Sequence, residues 1–206
     1  MNSVEIIGYK RANLGKINSK QLRAEGNVPC VLYGGEEQIH FHAPMYLFRP
    51  LVYTQEAHFV TINVEGTEYK GILQDIQFHP VSEMILHADF LQLFEDRSIK
   101  MDIPVVPEGS SPGVAKGGNM LLKKRKLSIK SLPKDMPSTI KVDISSLDFG
   151  KTVKVNEVTP DGYEILNNPM TTIASVEIPR SLRSTMDGEE GEEGEEGGEE
   201  SGDSAE

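Results

Sequence analysis

Apolar residues in this chain come in short runs, alternating or nearly continuous, that Pro, Gly or Asn interrupts before a long helix can develop. This punctuation constrains the fold more than any other feature, because a period of two buries one side of a strand while a helix needs a period of 3.6. Val60, Ile62 and Val64 alternate, Glu65-Gly66 marks a turn, and Tyr69 to Phe78 runs back, which predicts a hairpin. Over Met84 to Phe94 the same alternation puts Leu86, Ala88 and Phe90 on a core face, with His87 and Asp89 on the outer one. From Ser98 onward the runs Ile103 to Pro107, Leu121 to Ile129, Thr139 to Ile144, Thr152 to Val158 and Thr171 to Ile178 predict a second, all-β unit. Glu108 to Asn119, rich in Gly, Ser and Pro, reads as a loop between its early strands.

Helical signals are few. Asn18 or Ser19 is expected to cap a short helix that stops at Gly26, with Pro29 beyond it. About two turns are not stable alone, so Ile17 and Leu22 are expected to dock on the rest of the protein. Lys20 and Arg23 would then share a face, with Lys16 just before the helix. A second helix is predicted over Met45 to Tyr53, opened by Pro44 and divided by Pro50.

The 206 residues carry a net charge of −11, which argues against a nucleic-acid partner until the sign is read by region. Asp187 to Glu206 hold 11 of the 32 acidic residues and no basic one, so the preceding residues are balanced at 21 of each sign. Met1 to Gly35 set Lys10, Arg11, Lys16, Lys20 and Arg23 against only Glu5 and Glu25. The expected organisation is a mainly β fold: an N-terminal domain over 1–95, a C-terminal β domain over 96–180, and a disordered Gly/Glu-rich acidic tail over 181–206. That tail is expected either to solvate the protein or to compete with other polyanions for its basic patches. Cys30 is the only cysteine, which fits a reducing compartment; there is no signal-peptide pattern and no run of membrane-spanning length, so a soluble cytoplasmic protein is expected.

The segment Gly15 to Arg23, with the apolar strand Val28 to Gly35 behind it, reads as a phosphate-binding edge on a β scaffold. His87 and Asp89 add hydrogen-bonding groups, and Tyr33 beside Gly34-Gly35 is either core or a stacking surface. A surface helix with solvated lysines is the plain alternative. Lys123-Lys124-Arg125-Lys126, flanked by Lys116, Lys130 and Lys134, is a second basic region. It reads equally as an RNA contact or as a strand edge protected by lysines. His40-Phe41-His42 offers two imidazoles on one strand face but no third ligand, so no metal is expected. His79 before Pro80 reads as a turn residue, and Cys30 as a buried small hydrophobe. Gly113 to Gly118 lacks the Gly-Lys-Ser/Thr ending of a nucleotide loop, and no nucleophile motif accompanies His87 and Asp89. No cofactor and no enzyme activity are expected.

Gly-Lys-x-x-Ser-Lys-x-Leu-Arg at 15–23, Val-Pro-x-Val-Leu-Tyr-Gly-Gly at 28–35, His79-Pro80 and Leu-His-x-Asp-Phe at 86–90 follow in an order and spacing that resembles the large-subunit ribosomal protein twenty-five family. Gly117-Gly118, Leu132 to Pro137 and Ile140 to Asp143 extend the resemblance to the long two-domain form, Ctc or general stress protein. The resemblance implies an N-terminal β-barrel with a few helices that binds 5S ribosomal RNA at loop E, and a β-rich C-terminal domain. It implies RNA-facing Lys16, Ser19, Lys20, Arg23, Tyr33, His87 and Asp89, with Lys10 and Arg11 peripheral. Implied partners are 5S rRNA, the large ribosomal subunit and neighbouring ribosomal proteins; no membrane is expected, and the protein is expected to be a monomer off the ribosome. The contrasting reading is a stress-induced protein-interaction or chaperone-like module.

Overall fold

The computed structural model describes residues 2–179, so the expectation for the acidic tail over 181–206 falls outside the described residues. The first unit comprises β1 (Ser3–Lys10), α1 (Lys16–Ala24), β2 (Asn27–Tyr33), β3 (Ile39–Pro44), a 3-10 turn (Met45–Phe48) running into α2 (Arg49–Val52), β4 (Phe59–Val64), β5 (Thr67–Phe78) and β6 (Ile85–Gln92). The six strands close a barrel in the order β1-β3-β2-β6-β5-β4, sealed by parallel pairing of β1 with β4. Closure leaves no edge to attract other strands.

Alternation fills the barrel as the sequence predicts. Val60, Ile62 and Val64 of β4 are buried, as are Val28, Cys30 and Leu32 of the more continuous β2, with Ala88 and Phe90 of β6. Phe41 crosses the interior so close to β1 that a Cβ on Gly8 would lie 2.5 Å from its ring. Only glycine fits there. Pro50 ends the 3-10 turn and starts α2, dividing the predicted helix where expected.

Two local readings are corrected. Helix α1 begins at Lys16, with Gly15 as its uncapped flank, and Ser19 Oγ donates back to Gly15 O at 2.9 Å instead of capping. Ile17 is 83% exposed, so only Leu22 of the expected apolar pair turns inward. The face toward the barrel is Asn18, Ser19, Leu22 and Arg23, and polar bonds do much of the fastening. On β6, the pairing shifts register between Gln77 and Phe78, so that Leu86 has no residue opposite it on β5. This bulge puts Ile85, rather than Leu86, in the core with Ala88 and Phe90.

The second unit contains β7 (Ile99–Glu108), α3 (Pro112–Ala115), β8 (Asn119–Leu122), β9 (Lys126–Ser131), β10 (Ile140–Asp143), β11 (Thr152–Lys154), β12 (Glu164–Ile165) and β13 (Thr172–Glu177). Two sheets, β10-β7-β9-β12 and β11-β13-β8, share one core built on Ile103, Leu127, Ile129, Ile140, Ile173 and Val176. The run Leu121 to Ile129 is therefore not one strand. It turns a corner at Lys123 to Arg125 and serves both sheets. The expected loop 108–119 holds the one-turn α3, capped by the buried Ser111, whose Oγ accepts from Val114 N and donates to Leu147 O, while Gly113 N also donates to Leu147 O. Ile72, on the outer wall of the barrel, joins the core of the second unit, with Phe59, Leu91 and Leu93 packed against it.

Candidate nucleic-acid interface

The pairing registers place one row of outward residues across four neighbouring strands. His40 on β3 lies opposite Val31 on β2, Val31 opposite Asp89 on β6, and Asp89 opposite Asp75 on β5. Arg11 continues the row, because its backbone N–H donates to His40 O at 3.0 Å. A parallel set pairs Tyr9 with His42, and Gln77 with His87. Residues paired across strands share a face, so these side chains form a continuous outer wall.

Helix α1 stands against this wall beside β2 and is fixed at both ends. The Arg11 guanidinium donates to Ser19 Oγ at 3.1 Å, and Arg23 Nε donates to Leu86 O at 2.9 Å. The second bond uses the carbonyl of the bulged residue, next to His87. Lys16 and Lys20, one turn apart, both remain exposed with Ile17. Lys20 and Arg23 thus diverge, Arg23 toward the barrel and Lys20 toward solvent. No acidic residue occupies the first turn of α1, where one would favour the helix dipole. Lys16 sits there instead, so local helix stability is given up for positive charge.

On the wall, His87 Nδ1 lies 2.9 Å from Asp89 Oδ1. With Asp89 ionised, the ring donates from Nδ1 and offers Nε2 as an acceptor when neutral. Tyr33 ends β2, half-exposed. Burial raises its phenol above the ordinary value, and the charges of Asp89 and Asp75 raise it further, so its O–H is kept as a donor near two carboxylates. The arrangement combines free cations on a raised helix with a lower floor of donors and acceptors.

The structure thus brings Arg11, Ser19, Arg23, His87 and Asp89 into one bonded neighbourhood, with Lys16 and Lys20 on the helix above and Tyr33 at the margin. Lys10 stands apart: it follows Ile6 and Gly8 on the inner side of β1 and emerges at the strand's end, opposite Phe41. Arg11, peripheral by sequence, is central here. The alternation around Phe41 puts His40 and His42 outside, a signal present in the sequence, whereas Asp75 is hidden from pattern reading by the register shift after Leu73. Among the described residues no group of three or more His, Cys, Asp or Glu is placed to hold a metal ion. His79 is a turn residue whose Nδ1 accepts from Val81 N and Ser82 N. Cys30 is fully buried, and burial pushes its thiol far up.

His42 supplies a pH test. Burial, then the Arg11 charge, lowers its pKa below the ordinary 6.5, with Glu25 opposing. The unfolded chain therefore takes up this proton first as pH falls, so the stabilising share of neutral His42 is present above 6.5 and is lost as pH drops through the folded value. Thermal melts of His42→Gln between about pH 7 and pH 5 should show a flatter decline than the native chain; identical slopes would contradict the assignment.

Residues 6–90 match the family described as the ribosomal L25p family, and residues 98–180 match the C-terminal domain of ribosomal protein TL5. A protein of Amoebophilus asiaticus (strain 5a2) named large ribosomal subunit protein bL25 is 59% identical over 184 residues, covering 89% of this chain and 94% of that protein. A protein of the same name from Cytophaga hutchinsonii is 54% identical over 183 residues, covering 89% and 95%. One from Phocaeicola vulgatus is 41% identical over 190 residues, covering 89% and 96%.

Proposed function

The chain belongs to the ribosomal L25p family, and from that membership we propose that the wall formed by α1, β2 and β6 binds 5S ribosomal RNA at its loop E region. The protein is a structural component of the large ribosomal subunit, ribosome-associated in the cytoplasm, and its family is named for that role rather than for a reaction. Among the described residues no helix is long and apolar enough to cross a membrane.

An RNA helix presents a wide, shallow minor groove lined with 2′-hydroxyls, flanked by phosphates. Lys16 and Lys20 suit the phosphates, which set position. His87, Asp89 and Tyr33 lie lower, at a level for hydroxyls and base edges. Asp89 is an acceptor only, so it takes a 2′-OH or a base amino group and repels a phosphate. Arg11 and Arg23 already spend donors on Ser19 and Leu86 O, which holds both guanidinium groups at this wall.

The observation that carries this reading is the bond from Arg23 to the carbonyl adjoining His87, because it seats a helix with exposed lysines directly beside the His87–Asp89 pair. Gel or filter binding of intact 5S RNA against a loop E deletion tests it. The intact RNA should bind at least about tenfold tighter, the share of roughly one good directional contact. Equal affinities would refute the specific part of the proposal.

A further inference from the structure

The run Lys123 to Lys126 is not used by the barrel wall. Edge protection accounts for it only in part: β8, which the run follows, is the outer strand of the β11-β13-β8 sheet, but β9, which it enters, is paired by β7 along one side and covered over Ser128 to Lys130 on the other by β12 and the bond from Leu166 N to Ser128 O. At Lys130, covered on both sides, a lysine is not needed to block a further strand. Leu127, Ile129 and Ser131 are buried, so Lys126 and Lys130 project outward about 13 Å apart along the strand. Lys130 lies directly opposite Lys100 of β7, a like-charge pairing that weakens a sheet.

Beside them the corner Lys123-Lys124-Arg125 is held by backbone bonds alone. Lys123 N and Lys124 N both donate to Ile173 O, at 2.8 and 3.1 Å, and Arg125 O accepts from Val105 N at 2.9 Å. Its three side chains are exposed on a backbone that needs no further ordering. Asp102 and Glu164 share the sheet face, and Lys100 and Lys126 line a cleft against the barrel with Asp102, Asp75 and Glu56, yet none of the six cations (Lys100, Lys123, Lys124, Arg125, Lys126, Lys130) lies within salt-bridge distance of a described carboxylate; the lysines so paired are Lys116, Lys134 and Lys141. The ledge presents no aromatic ring on which an unpaired base would stack.

We propose that this ledge grips the phosphate backbone of a second RNA duplex segment, separate from the one held by the barrel wall. The ribosomal setting rests on the function proposed above; the chemistry of the ledge does not. Uncompensated cations on a rigid, ring-free surface favour duplex phosphates over base-reading, and release of counterions supplies the affinity.

The test uses the full chain and two RNAs: a plain duplex without loop E and a 5S fragment containing it. Replacing Lys123, Lys124 and Arg125 together by Gln should weaken the plain duplex at least about tenfold and reduce its salt slope by about 2, at roughly 0.7 to 0.9 for each phosphate no longer neutralised. Binding of the loop E fragment should stay within about twofold. Lys100→Gln with Lys130→Gln, on separate strands, should give the same direction of change while the circular dichroism spectrum stays native. Unchanged duplex affinity and slope in both variants would overturn the proposal, and loss of binding to poly-glutamate in its place would assign the ledge to an acidic protein. If the native chain fails to prefer the loop E fragment while the ledge variants still lose the plain duplex, the barrel reading falls and this one stands.

Discussion

Reversing Lys16 and Lys20 to Glu should lower affinity for a loop E RNA fragment by about two orders of magnitude while leaving the fold as stable or slightly more so. Each lysine is expected to make one charge-assisted phosphate contact, at about 1.5 kcal/mol, so losing both costs about 3 kcal/mol of binding, or roughly 100-fold. Stability moves the other way. Both side chains are exposed, and surface changes of this kind fall within about 0.5 kcal/mol. Glu at position 16 would also meet the positive end of the α1 dipole, where an acid is worth about 0.3 to 1 kcal/mol. Opposite signs for binding and stability separate an interface from a solvated helix face. Filter binding together with a thermal melt reads both quantities, and a binding loss below about threefold would return the lysines to an ordinary surface role. Arg23 is a poor choice for the same test, because its Nε holds α1 to the carbonyl of Leu86, so its removal confounds folding with recognition.

What is legible in the sequence follows from local chemistry. Alternation locates the β4 core residues, the positive-φ pair Glu65-Gly66 marks the hairpin, and Pro50 marks the break between the 3-10 turn and α2. These signals depend on neighbours in the chain and survive in any fold. Register shifts are different, because they depend on what lies opposite. The bulge at Leu86 exchanges it with Ile85, and that same bulge supplies the carbonyl that Arg23 takes, so a misplaced core residue and a misplaced site residue share one cause. The start of α1 is hidden because Ser19 looks like a cap, whereas its hydroxyl is committed to Gly15 O and to Arg11. For the basic run, composition does not separate edge protection from RNA contact. The strand order shows that the run joins an outer strand, β8, to an interior one, β9, which the pattern of residues alone does not reveal.

Phe90→Ala should be the most destabilising single change in the barrel, at about 3 to 5 kcal/mol. The ring is fully buried, 5.9 Å from that of Phe41 and 6.3 Å from that of Phe48, so it joins β3 and the 3-10 turn to β6. Removing it leaves a cavity between the rings of Phe41 and Phe48. Against a total stability of about 5 to 15 kcal/mol, the loss takes a large share. Urea unfolding should show a lower midpoint at unchanged slope, while Phe90→Leu, which refills most of the space, should recover most of the difference. A loss below about 1 kcal/mol for the alanine variant would mean that the barrel core collapses freely around this position, contrary to the packing described. The consequence reaches the proposed RNA-binding wall directly, since Asp89 and Phe90 are neighbours on one strand pointing to opposite sides. The side chain that orients His87 is held in place by the ring behind it, so RNA affinity should fall with urea midpoint across Phe90 variants even though none of them touches the outer face.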